Sequence, residues 1–359
     1  MSVRTDTSIA PRTTLRVGGP ARTLVEATTE AELVEAVRTA DEAGDPLLLL
    51  AGGSNLLVAD AGFEGTVVHV ATTGIGVDSE DACGGGVVTV AAGHPFDDFV
   101  ATAVRRGWTG VEALSGIPGS VGATPVQNVG AYGQDVSQTI ETVRTWDRLE
   151  RRQRTFAAAD LRFGYRTSLL KTSRVALAGA HPESRYVVLE VTFQFRLSDR
   201  STAVAYPELA RRLGVRVGER APAADVRAAV LELRAGKGMV WDPRDLSDHD
   251  TWSAGSFFTN PVLSAAEVDR LPADAPRFPA GEGRVKTSAA WLIERAGFGR
   301  GFGAPGPAAL STKHVLALTN RGGATAEDLL RLARTVADGV EQRFGIRLVN
   351  EPVLVGARL

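Results

Sequence analysis

An α+β fold is what this sequence predicts, and three observations carry the prediction. A capped helical pattern near the N-terminus runs directly into a short apolar strand and a glycine turn. The stretch from Tyr186 to Leu197 alternates cleanly: Val187, Leu189, Val191, Phe193 and Phe195 share one face, and Val188, Glu190, Thr192 and Gln194 the other. Two more helices are punctuated near the C-terminus, Ser288 to Ala296 before Gly297 and Ala326 to Phe344 between Thr325 and Gly345.

The elements follow in order. Thr29-x-x-Glu32 is a capping box, with Leu33, Val34, Val37 and Ala40 at helical spacing and Gly44 as the stop. Leu47 to Leu50 is a fully apolar strand that runs into Ala51-Gly52-Gly53-Ser54-Asn55, and Leu56 to Val58 resumes the apolar pattern. Thr66 to Val70 and Val87 to Ala91 read as strands, and Phe96 to Arg106 as a helix. Leu114 to Asp135 is glycine-rich, with two prolines, and too ordered in its residue choices for a linker. Residues 201 to 250 are mostly helix-forming, and the polar exit at Trp241 to Asp250 marks a domain junction. Ile346 to Val349 and Val353 to Val355 are strand candidates with no following partner, expected to return to the N-terminal unit.

With 359 residues the chain is expected to hold two or three domains. Its composition, 44 % hydrophobic and 23 % charged, is that of a folded protein. A net charge of −2 removes the footprint of a general nucleic-acid binder, and the one basic run, Arg148 to Arg154, is already broken by Glu150. A single cysteine, Cys83, excludes an internal disulfide framework. No apolar run approaches the length of a membrane helix and the N-terminus is polar, so a cytoplasmic protein with no membrane partner is expected. No exposed apolar stripe is identifiable, and a monomer is the expectation.

Several stretches suit chemistry. Gly52-Gly53-Ser54-Asn55 leaves a buried strand with backbone N–H groups open to an anion, although an ordinary strand-exit turn would read the same way. Neither the dinucleotide-binding G-x-G-x-x-G nor the P-loop pattern is present. Ser115-Gly116-Ile117-Pro118-Gly119-Ser120-Val121-Gly122-Ala123 is a rigid run of donors. Gln127-Asn128-Val129-Gly130-Ala131-Tyr132-Gly133 adds amides and a ring. Two such turns fit a dinucleotide held by its diphosphate; a tight crossover loop is the plain alternative. Arg166, after Gly164-Tyr165, offers a planar fork for a carboxylate or phosphate, though a lone arginine is most often a solvated surface group. Ser256 places a hydroxyl inside the apolar run Ala254 to Phe258, as a satisfied core serine or as a proton donor in a dry site. Glu351 lies between apolar strands, where a solvated edge carboxylate is the commoner case. The five histidines, at 69, 94, 181, 249 and 314, show no metal-ligand spacing, so no metal is expected.

In their order, these stretches resemble the UDP-N-acetylenolpyruvoylglucosamine reductase family, also called UDP-N-acetylmuramate dehydrogenases, from Thr14-Leu15-Arg16-Val17-Gly18-Gly19-Pro20 to Glu351-Pro352. The resemblance implies a vanillyl-alcohol-oxidase/PCMH-type FAD-binding fold of two subdomains plus a separate α+β substrate domain. It divides the chain into residues 1–65 completed by 346–359, 66–240 with the substrate loop, and 241–345. It further implies non-covalent FAD, NADPH as reductant, and a UDP-sugar substrate in peptidoglycan precursor synthesis. Gly52, Gly53, Ser54, Asn55, Ser115, Gly116, Ile117, Pro118, Gly119, Ser120, Gly122, Ala123, Gln127, Asn128, Gly130 and Tyr132 match the cofactor turns. Arg166, Ser256 and Glu351 match the catalytic positions, with Ser256 as the acid for carbon, and Tyr206, Lys237 and Asn260 match substrate contacts. The tyrosine marks the first type of the family, with a substrate-closing loop. Ala51 replaces the first of the three glycines usual in the family's turn, and Gly297 to Gly306 fits the pattern less well. An oxygen-using flavin oxidase of the same fold and a non-enzymatic nucleotide sensor are the competing readings.

Overall fold

The computed structural model describes residues 1–81, 83–175, 183–242, 244–281 and 283–359; His181 lies outside them. In chain order the labelled elements are β1 Ser2–Ser8, β2 Pro20–Ala27, α1 Glu30–Glu42, β3 Leu47–Leu50, β4 Leu56–Val58 and β5 Phe63–Val70. They continue with β6 Ile75–Asp81, β7 Gly85–Ala91, α2 Phe96–Arg106, β8 Ile140–Asp147, β9 Arg152–Ala157 and β10 Tyr186–Leu197. The rest are α3 Pro207–Leu213, α4 Ala223–Ala235, α5 Ala289–Arg295, β11 Ala308–Leu310, β12 Leu318–Asn320, α6 Ala326–Phe344 and β13 Val353–Val355. Contacts divide the chain into two compact units.

The first unit comprises Met1–Thr7, Ala21–Gly52 and Glu64–Ala235. One sheet has the order β1-β2-β5-β3, with β3 parallel to β5 and Leu47 opposite Thr66. The capping box at Thr29 and Glu32 starts α1, which buries Leu33, Ala36, Val37 and Ala40. A second, antiparallel sheet runs β9-β8-β10-β7-β6. The apolar face of β10 meets α2: the Phe99 ring lies 4.8 Å from Phe193, and Phe195 stacks on Trp108 at 5.9 Å. Burying each such ring contributes about 2–3 kcal/mol, so this face holds the helix against the sheet. Arg148, at the head of the basic run, is buried, and its guanidinium donates to both Asp41 oxygens on α1, at 2.6 Å to Oδ1.

The second unit comprises Ser8–Pro20, Gly53–Phe63 and Gly236–Leu359. Its long helix α6 buries Leu329, Leu330, Ala333, Val336, Ala337, Val340 and Phe344, an i, i+3, i+4, i+7 stripe. Thr325 and Asp328 form a capping box at its start, and Asp60 accepts from the Ala326 and Glu327 N–H groups as well. The β11–β12 hairpin and α5 complete the core with Leu15, Val17 and Leu57. β13 pairs in parallel with β4, Val353 opposite Leu56. The strand expected at Ile346 to Val349 does not form; only Asn350 bridges, to Phe258. Val349 is exposed there, so one apolar side chain of that run has no sheet to enter.

Candidate active site

In the first unit Gly52, the head of the first glycine turn, meets Gly119 of the second. A Cβ on Gly52 would stand 2.5 Å from the Gly119 Cα, so only glycine allows that approach. The 115–123 segment is fixed from behind by backbone bonds: Gly119 O accepts from Phe96 N–H at 3.0 Å, Val121 N–H donates to His94 O at 2.9 Å, and Gly122 N–H to Ala92 O at 2.7 Å. Ser115 Oγ donates to Glu112 O at 2.7 Å and is spent on the turn itself. Ser120 differs. It is 4 % exposed, and its Oγ has no hydrogen-bond partner among the described residues. A buried hydroxyl left unsatisfied costs about 1–3 kcal/mol, which an acceptor-rich ligand would recover.

The next stretch carries its polar groups on unusual backbone. Asn128 adopts φ +46°, donates to Gly164 O at 3.2 Å and accepts from Ser137 N–H at 3.2 Å, so both ends of its amide lock the turn. Arg166 stands in the tight turn closed by Gly164 and Thr167, with φ +55°, and its Nη2 donates to Gly130 O at 2.9 Å. Lys171, which sequence reasoning missed, donates from Nζ to Gln127 Oε1 at 3.2 Å and to Arg166 O at 2.8 Å. Tyr132 meets Tyr206 edge to face at 5.4 Å, and Tyr206 is 41 % exposed at the start of α3. This unit therefore gathers Gly52, Ser115 to Ala123, Gln127 to Tyr132, Arg166 and Tyr206.

The second unit holds the other candidates. Gly53 has φ +59°, and a Cβ there would lie 1.9 Å from Arg12 O. Asn55 Nδ2 donates to Glu351 O at 3.4 Å, and Asn55 O accepts from Val353 N–H at 2.9 Å. The run that contains Ser256 is pinned on both sides: Phe257 N–H donates to Leu316 O at 2.8 Å, and Glu351 N–H to Phe257 O at 2.8 Å. Phe257 and Phe258 are buried, which anchors the segment and leaves Ser256 half-buried at its head, after Gly255 at φ +70°. Ser256 and Glu351, far apart in sequence, thus flank one backbone bond. Asn260 Oδ1 caps α5 by accepting from Ala289 N–H at 2.9 Å, so its amide NH₂ remains the end that can donate to a ligand. Lys237 is half-buried in the same unit. No cluster of metal-binding side chains occurs among the described residues.

A family model described as the C-terminal domain of UDP-N-acetylenolpyruvoylglucosamine reductase matches residues 246–355, and one described as an FAD binding domain matches 21–150. The chain is 58 % identical over 356 residues to a UDP-N-acetylenolpyruvoylglucosamine reductase of Cutibacterium acnes, covering 99 % of this chain and 90 % of that one. The chain belongs to the UDP-N-acetylenolpyruvoylglucosamine reductase family. A reductase of that name from Streptomyces avermitilis is 55 % identical, covering 99 % of this chain and 95 % of that one. A crystal structure of a UDP-N-acetylenolpyruvylglucosamine reductase from Thermus caldophilus superimposes with a TM-score of 0.64 at 24 % identity, covering 99 % of this chain and 98 % of the other. The α+β FAD-binding fold expected from the sequence therefore stands, and the chain is an FAD-containing oxidoreductase of peptidoglycan precursor synthesis. That sets aside the non-enzymatic sensor.

The residues present fit the cofactor of this reductase family. A diphosphate needs close backbone approach and donors, and the Gly52–Gly119 contact and the unpartnered Ser120 hydroxyl supply both. Ala51, the departure from the family's usual glycine, is not among the residues with positive φ, so its side chain brings no backbone strain. No helix among the described residues is long and apolar enough to cross a membrane.

Proposed function

We propose that this chain reduces the enolpyruvyl ether of UDP-N-acetylglucosamine to UDP-N-acetylmuramate with NADPH, in the cytoplasm and as a monomer. Bound FAD supplies a two-electron carrier between the two reactants. In balance, the substrate double bond gains a hydride equivalent at its distal carbon and a proton at the carbon bearing the carboxylate, while NADPH becomes NADP⁺.

The residue roles follow from charge. Hydride addition loads negative charge onto the carboxylate as an enediolate. Arg166, held by Gly130 O and with its backbone fixed by Lys171, presents a cation that strengthens its hold as that charge grows. Glu351 adds to the same stabilisation only when it is hydrogen-bonded or protonated, since a bare carboxylate would oppose the charge. Ser256 delivers the proton to the α-carbon; the carbanion-like centre is strongly basic, so position matters more than the resting acidity of a hydroxyl. Tyr206, Lys237 and Asn260 bind the UDP-sugar, Tyr206 from a loop that closes over its diphosphate. The 52–55 and 115–123 turns take the FAD diphosphate, and Gln127 to Tyr132 face the flavin.

The observation that supports the acid assignment is the backbone bond from Glu351 N–H to Phe257 O, which joins the segment next to Ser256 to the Glu351 backbone over the buried Phe257. The test is half-reaction kinetics on Ser256→Ala. NADPH-driven flavin bleaching should stay near wild type, while reoxidation by the enolpyruvyl sugar should slow by roughly 10³-fold or more. Equal damage to both half-reactions would remove Ser256 from the proton-transfer step.

A further inference from the structure

Gly116 opens the second glycine turn and is gripped by two helices. Asp97, in the first turn of α2, accepts from the Gly116 N–H at 2.6 Å through Oδ1. The same carboxylate takes Arg227 of α4 as a fork, Nη1 to Oδ1 at 2.7 Å and Nη2 to Oδ2 at 2.9 Å. Two helical turns further along α4, the buried Arg234 donates from Nε to Gly116 O at 3.1 Å. Between them lies Leu231, whose Cδ2 would be 2.9 Å from a Cβ on Gly116. Arg227, Leu231 and Arg234 stand four and three residues apart, so one face of α4 closes on one peptide. Gly116 itself has φ +72°.

This arrangement is unusual for a turn that takes an anion. A carboxylate close behind a diphosphate repels it, and an asparagine could accept from the same N–H without that penalty. What the carboxylate adds is two oxygens that hold Gly116 and Arg227 at once, while Arg227 cancels its charge. We propose that Asp97 and Arg227 are positioning residues for the cofactor: Asp97 fixes the Gly116 peptide so that the remaining donors of the turn stay aimed at the FAD diphosphate, and Arg227 neutralises Asp97 toward it. The inference rests on the reading that residues 115–123 hold that diphosphate.

The pair makes an asymmetric prediction. Arg227→Met leaves the carboxylate without its forked partner, held only by Gly116 N–H and the field of Arg234, whereas Asp97→Asn keeps an acceptor for Gly116 and removes the charge. FAD titration of the full-length apo-protein at about 0.05 M and about 0.5 M salt reads the difference. Arg227→Met should raise the FAD Kd by roughly tenfold or more at low salt and by less at high salt. Asp97→Asn should raise it by less than about threefold, and the double variant Asp97→Asn/Arg227→Met should recover most of the loss. Arg227→Lys, which keeps the charge and guards against an unfolded Met variant, should stay within about threefold of wild type. Arg212→Met, which breaks the exposed Arg212–Glu232 pair, should leave the Kd unchanged. A merely structural ion pair gives equal losses from either single variant, no recovery in the double and no salt dependence, and that result overturns the proposal. Gly119→Ala separates the two readings. If it weakens FAD while Arg227→Met does not, only the positioning role fails; if neither changes the Kd, the diphosphate reading falls and this inference with it.

Discussion

Asn128, Tyr132 and Arg166 hold φ values of +46°, +49° and +55°, a backbone region that costs a residue with a side chain roughly 1 kcal/mol. Such strain persists only where the surroundings impose it, and at Arg166 they do: the Gly164–Thr167 pair closes the turn, and Lys171 and Gly130 hold the ends of the residue. Arg166→Gly should therefore leave thermal stability about where it is, as relieved strain offsets the lost Gly130 bond, while reduction of the enolpyruvyl substrate falls by roughly 10³-fold. A variant that melts well below wild type yet keeps much of its activity would make Arg166 a structural residue. Gly52 poses the opposite case. Its φ is ordinary, but a Cβ would meet backbone, not a movable side chain, at 2.5 Å. Gly52→Ala should cost about 2 kcal/mol or more of stability and strip the bound flavin, both visible in one absorbance-monitored melt. Unchanged flavin content after that substitution would show that the two turns do not cradle the cofactor together.

At the scale of elements, α6 owes its register to three acceptors gathered at one end. Thr325 and Asp328 reciprocate in a capping box, and Asp60, on a segment far away in sequence, accepts from the next two N–H groups at 2.8 and 3.1 Å. Asp60→Ala should destabilise the chain by about 1 kcal/mol in urea unfolding. The Thr325 backbone N–H and then its hydroxyl hold the Asp328 carboxyl below its usual pKa. A depressed folded pKa means that the contribution is complete above the unfolded value near 4 and disappears as pH falls through the folded one. The stability gap between wild type and Asp328→Asn should thus be widest above the unfolded value of about 4 and narrow as pH falls through the lower folded one; a gap that persists in strong acid would exclude the charge as its source. The helix signals were legible in advance because they are local: Thr29, Thr325, Gly345 and the apolar stripes bound α1, α2 and α6, and the alternation of 186–197 gives β10 residue for residue. Long-range pairing was not legible. Nothing in Val353 to Val355 names Leu56 to Val58 as its parallel partner, and Ile346 to Val349 carries the same pattern without forming a strand. Nor could sequence show that Asn128 spends both ends of its amide on the turn, or that Asp97, Arg227 and Arg234, among 40 basic and 42 acidic residues, converge on Gly116.

For the whole molecule the order of segments matters more than their content. The chain enters the second unit at Ser8, leaves it after Pro20, returns for Gly53–Phe63 and enters again only at Gly236. Its core accordingly mixes Leu15, Val17 and Leu57 with Leu292, Leu310, Leu318 and Val336. The parallel partner of β13 is β4, and the third acceptor at the head of α6 is Asp60. The matched C-terminal family region, 246–355, contains none of the three N-terminal core residues and neither of those two partners. A fragment of residues 236–359 would leave β13 without its ladder and expose apolar surface that Leu15, Val17 and Leu57 cover, a loss of about 2 kcal/mol for each buried side chain. Against a total stability of order 5–15 kcal/mol, that loss is decisive. We expect this fragment, expressed alone, to show no cooperative urea transition and a near-UV spectrum without fixed aromatic signals. Co-expression with residues 1–235 should restore both, because the second piece carries the missing strand, cap and core residues. A lone fragment that melts cooperatively would mean that the N-terminal insertions decorate a self-sufficient core; the burial of Leu15 and Leu57 at 0 % exposure argues that they complete it.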